Sequence, residues 1–130
     1  MERETRKTFE RAFSFTKGIA EAQRREYLIG CDISSMEHSR KVIELAHTDN
    51  VEFDEALKNA GQRKAALSKL LAEDAEYKEL GDKISEFKKV QAFLRITIEK
   101  MEREVSLMRA YIQASAFENL SFTIGMGSGA

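Results

Sequence analysis

Residues 77–112 read YKELGDKISEFKKVQAFLRITIEKMEREVSLMRAYI. Within them Tyr77, Leu80, Ile84, Phe87, Gln91, Leu94, Ile98, Met101, Val105, Met108 and Ile112 follow one another at steps of three and four. That alternation is a heptad seam, the pattern that keeps one stripe of a helix facing a partner helix. Gln91 is the one polar residue in it. Val90, Phe93, Thr97 and Tyr111 widen the stripe. The spacing predicts a helix from about Asp74 to Ala116, roughly 60 Å long at 1.5 Å per residue. Such a helix cannot bury its own stripe, so it must pair with another helix of this chain or of a copy. We therefore take Ile84, Phe87, Leu94, Ile98, Met101 and Val105 as the candidate oligomer seam.

A weaker seam with the same spacing runs through Ile19, Ala22, Glu26, Ile29, Ile33, Met36, Arg40 and Ile43. It predicts a helix over residues 17–46 that tolerates Gly30, at a cost of about 1 kcal/mol against alanine. Before it, Phe9, Ala12, Phe13 and Lys17 predict a short amphipathic helix ending near Gly18. After it, His47-Thr48-Asp49-Asn50 is the expected turn, because Asp and Asn side chains satisfy local backbone groups. Phe53, Leu57, Ala60, Lys64, Leu67 and Leu71 predict a third helix with Asp54 as its N-cap, bending near Glu73-Asp74. The stretch 119–124 alternates apolar and polar residues and predicts a short strand. The glycine-rich residues 125–130 are flexible by composition.

The expected fold is all-α. Two long helical arms form an antiparallel hairpin or coiled-coil-type bundle, with short flanking helices and a short extended C-terminal tail. Residues 1–118 form a single helical domain and 119–130 the tail.

Composition agrees. The 130 residues are 42% hydrophobic and 33% charged, without a single proline to break a helix interior. The formal net charge is −1, so nucleic acid could be attracted only by local basic patches. Cys31 is the only cysteine. It excludes an intrachain disulfide and fits a reducing compartment. There is no apolar run long enough for a membrane span, and the charged start of the chain does not read as a signal peptide. The expected location is cytoplasmic.

Catalytic signals are poor. His38 and His47 are not at ligand spacing on a helix, Cys31 has no adjacent base, and the glycines at 125–129 open no helix and lack the lysine of a phosphate loop. Glu44 precedes His47 once, without the second pair that a di-iron bundle needs. Acidic groups such as Glu52-Asp54-Glu55 and Glu73-Asp74-Glu76 read as helix starts. We expect no enzyme, metal or cofactor.

Charge placement is more informative. Lys58, Arg63, Lys64 and Lys69 form a block without an acid, and residues 3–25 carry seven bases against three acids, interleaved with Phe9, Phe13 and Phe15. Bases to track a backbone and aromatics to stack on are what a single-strand binder requires. Solvated helix faces give the same composition, and we expect these phenylalanines to pack in a core. The acid-free block is the better candidate.

The run Gln62-Arg63-Lys64-Ala65-Ala66-Leu67-Ser68-Lys69-Leu70-Leu71, then acidic Glu73-Asp74, then the long patterned helix, resembles the UvsY recombination mediators of T-even bacteriophages. The resemblance covers residues 57–117. Where that family has a lysine-x-arginine pair, this chain has Ser68-Lys69-Leu70, so the family's DNA-contacting role maps onto Arg63, Lys64 and Lys69. Membership would imply a ring-forming homo-oligomer that binds single-stranded DNA, aids a recombinase against the single-strand-binding protein, and, if phage-encoded, works in the host cytoplasm. The alternative is a structural or scaffolding coiled coil, from phage assembly or chaperone-like, with no nucleic-acid role.

Overall fold

The structure, a computed structural model, describes the backbone of residues 3–128 and the side chains of residues 3–118. It holds three helices and, among the described residues, no strand: α1 (Arg3–Glu52), α2 (Ala60–Glu73) and α3 (Ala75–Ser128). The fold is all-α, with long α1 packed against long α3 as a helical hairpin. Packing divides the chain into two units, Met1–Glu26 with Phe93–Ala130, and Tyr27–Ala92.

Both seams lie where the spacing puts them. In the first unit, Ala12 and Ala22 of α1 and Ile98, Val105 and Met108 of α3 are buried. Arg11 reaches Glu104 at 3.9 Å, and Arg95 donates to Glu26 at 2.5 Å. Partners retreat along α3 as α1 advances, so the helices are antiparallel. In the second unit, Ile33, Val51 and Ile84 are buried, and Glu37 pairs with Lys88 at 3.2 Å. Burying an isoleucine is worth about 1.5–3 kcal/mol, whereas exposed ion pairs contribute about 0–1 kcal/mol each. The seams therefore dominate stability.

Several expected boundaries move. The separate short helix ending at Gly18 does not exist, and α1 runs through Gly18 and Gly30. The inward stripe at its start is Thr5, Thr8, Ala12 and Phe15, in phase with the seam, while Phe9 and Phe13 point outward. Nor is there a turn at 47–50. Thr48 Oγ1 bonds the Glu44 carbonyl at 2.7 Å and Val51 is buried, so the helix gains contacts by continuing to Glu52. Asp54 is not an N-cap. Its Oδ1 accepts the Ala56 N–H at 3.0 Å in a local turn, and the N-cap of α2 is Asn59 instead. Finally, the strand expected at 119–124 is replaced by helix, since α3 continues to Ser128. With no proline to stop it, an existing helix propagates at one hydrogen bond per residue, which outweighs a short alternating pattern.

Candidate nucleic-acid interface

Helix α2 carries the acid-free basic block. It starts at Asn59, whose Oδ1 accepts the Gln62 N–H at 2.8 Å, while Gln62 Oε1 accepts the Lys58 N–H at 2.8 Å. These two bonds satisfy two backbone donors and fix where the helix begins. Its inner stripe is Arg63, Ala66, Leu67, Leu70 and Leu71, all partly covered and none fully buried.

The block divides on this frame. Lys58, Lys64 and Lys69 are exposed, and Arg63 is partly covered on the inner stripe. Arg63 and Lys64 line a shallow groove with Val51, Glu52, Phe53, Ala60 and Leu67. Lys69 is about 140° from Lys64 around the helix axis, at 100° per residue. The structure thus brings Arg63 and Lys64 together and sets Lys69 on a different face. None of the four forms an ion pair with another described residue, so their charge stays available to an anion.

The candidate oligomer seam faces inward. Ile84, Ile98 and Val105 are buried, and Phe87, Leu94 and Met101 are partly covered, by the chain's own helices. Among the widening positions, Val90, Phe93 and Tyr111 are exposed.

A polar cluster, not anticipated from the sequence as a group, joins α1 to the α2–α3 corner within the second unit. Asp74 ends α2 and caps α3, its Oδ1 accepting the Tyr77 N–H at 3.0 Å. Its Oδ2 lies 2.7 Å from His47 Nε2. The His47 hydrogen bond, with help from the Tyr77 N–H, holds the Asp74 carboxyl below its ordinary value. Tyr77 donates its hydroxyl to the Glu44 carboxylate, which pushes the phenol above its ordinary value. Arg40 donates to the Tyr77 carbonyl at 3.3 Å and places its guanidinium 3.8 Å from the centre of the Tyr77 ring. Arg40 at a seam position was the available signal, because a charge on an apolar stripe needs partners.

His47 Nδ1 is buried and has no hydrogen-bond partner among the described residues. Arg40, Glu44, His47, Asp74 and Tyr77 together clamp the corner. His38 and Cys31 are exposed. Among the described residues, no group of three or more His, Cys, Asp or Glu side chains is placed to hold a metal ion, and no helix is long and apolar enough to cross a membrane.

No protein-family model, curated protein or solved structure matches this chain.

Proposed function

We propose that this chain is an oligomeric, non-catalytic accessory factor that binds single-stranded DNA, in the manner of a recombination mediator that helps load a recombinase. The observation that supports this reading is the state of the basic block. Lys58, Arg63, Lys64 and Lys69 stand on or beside one capped helix without a paired acid. Unpaired bases on a rigid helix release counterions from a phosphate backbone at little ordering cost. Such a factor would act in the cytoplasm beside a recombinase and a single-strand-binding protein, and copies of the chain would multiply its weak contacts. Since the seam is occupied within the chain, copies would meet through other surfaces.

The test replaces Arg63, Lys64 and Lys69 with alanine. We expect weaker binding to single-stranded oligothymidylate with unchanged helicity by circular dichroism. Equal affinity of variant and wild type would overturn this site.

A second reading, a scaffolding coiled coil without nucleic acid, is favoured by a different observation. Phe93, Ile96 and Leu107 are more than 60% exposed on one side of α3, and exposed apolar surface of this kind marks protein contacts. A wild-type chain that assembles but ignores oligonucleotide would establish it.

A further inference from the structure

The base-rich segment 3–25 has no part in the site above. Its phenylalanines were expected in the core, yet Phe9 and Phe13 are 55% and 66% exposed. Helical spacing places Arg6, Phe9, Phe13, Lys17 and Arg24 along one outer face of α1, at steps of three, four, four and seven. All are exposed, and Arg6, Lys17 and Arg24 make no ion pair with another described residue. Glu10 and Glu21 border the same face, Glu10 four residues from Arg6 and Glu21 four from Lys17, and neither forms an ion pair with another described residue. Beside Phe9 and Phe13, a groove of about 390 Å³ opens between α1 and α3 within the first unit. Its floor is Ala12, Val105 and Ile112, and Arg109 stands exposed on its far wall.

We propose that single-stranded nucleic acid lies along this face, with bases stacked on Phe9 and Phe13 and phosphates held by Arg6, Lys17, Arg24 and Arg109. The proposal rests on the single-strand reading above and assigns it a second contact surface. Charge selects the occupant. Bases at both ends of the aromatic pair and across the groove match a polyanion, whereas an apolar helix from a partner would leave them without counter-charge. The two rings are four residues apart, about 6 Å along the axis. They offer successive platforms that accept any base, since every base has a π-face. Paired bases in a duplex are not free to stack there.

The test uses the full chain and fluorescently labelled oligothymidylate. Changing Phe9 and Phe13 together to serine should weaken binding at least tenfold, since each stacked base contributes about 1–3 kcal/mol. The log–log salt slope should not change, because stacking displaces no counterion. Changing Arg6, Lys17 and Arg24 to glutamine should instead flatten the slope by about 2, at roughly 0.7 per neutralised phosphate. The chain has no tryptophan, so the indole introduced by Phe13→Trp is a unique reporter. Oligothymidylate should quench it and duplex of the same length should not.

Unchanged affinity of the double-serine variant, or an unquenched indole, would overturn the proposal while leaving single-strand binding intact. So would a variant that alters only the sedimentation mass, because a second copy would then cover the groove. Failure of the wild type to bind oligothymidylate would overturn the underlying reading as well.

Discussion

Gly30 of α1 lies against Gln91 of α3, so close that a Cβ at position 30 would stand 3.3 Å from the Gln91 amide nitrogen. The two departures from an apolar heptad therefore meet each other across the seam. The missing side chain makes room for the polar one. Alanine at 30 gains about 1 kcal/mol of helix propensity but presses on Gln91. We predict that Gly30→Ala stabilises the wild type by about 0.5 kcal/mol and a Gln91→Ala background by about 1 kcal/mol. Chemical denaturation of the four chains in this cycle measures the difference, and equal gains would refute the contact.

Gly81 behaves oppositely to Gly18. A Cβ at 18 would meet the Met101 sulfur at 3.5 Å, an ordinary contact, whereas one at 81 would meet the Arg40 guanidinium at 2.8 Å. Arg40 is held by the Tyr77 ring and carbonyl. Displacing it forfeits about 0.5–1 kcal/mol from the ring and about 1.5–3 kcal/mol from the charged hydrogen bond. We predict that Gly18→Ala stabilises the chain by about 1 kcal/mol and Gly81→Ala destabilises it by a similar amount. Thermal melts of the two single variants check the opposite signs.

The long seams were legible because a heptad stripe survives isolated exceptions. Glu26, Arg40 and Gln91 each interrupt it once, and each has a partner in the structure: Arg95, Tyr77 and the space over Gly30. The ends of the helices were less legible. Gly18 reads as a stop, but a strong stripe on both sides carries the helix through. Asp54 and Asn59 both suit an N-cap, and only Asn59 has a glutamine three residues ahead, Gln62, whose side chain accepts the Lys58 N–H just before the cap. Phe9 and Phe13 have the size of core residues, yet the small Thr5 and Ala12 face inward instead. Beyond the charge of Arg40 on the seam, the corner clamp was illegible because it joins residues 27 to 37 apart in sequence.

The corner clamp predicts two pH limits. The Asp74 carboxyl is held below its ordinary 3.8 by His47. A carboxyl lowered on folding contributes stability above its unfolded value and loses it as pH falls through the folded one. The Tyr77 phenol is raised above 10.0 by Glu44. Its contribution is present below that value and is lost as pH climbs through the folded one. Asp74→Asn keeps a capping side chain and removes the charge, so it should blunt the acid limb of a melting-temperature profile. Tyr77→Phe should blunt the alkaline limb. Unaltered limbs in both variants would show that the clamp does not couple to folding.

Ile98 is 6% exposed within a single chain. Ile98→Asp should therefore unfold the hairpin itself, at a cost of about 3–5 kcal/mol for an unpaired charge in a packed seam. Lost helicity, independent of protein concentration, is the expected result. Intact helicity with a lower oligomer mass would place this residue between copies instead.

Binding of wild-type chain to single-stranded oligothymidylate, titrated with salt, tests the proposed function most directly. Neutralising four phosphates with Lys58, Arg63, Lys64 and Lys69 gives a log–log slope near −3, at roughly −0.7 per phosphate. We predict binding at low salt that weakens with a slope at least that steep and that duplex does not displace. Absence of binding at low salt, or an affinity indifferent to salt, would contradict a single-strand-binding role.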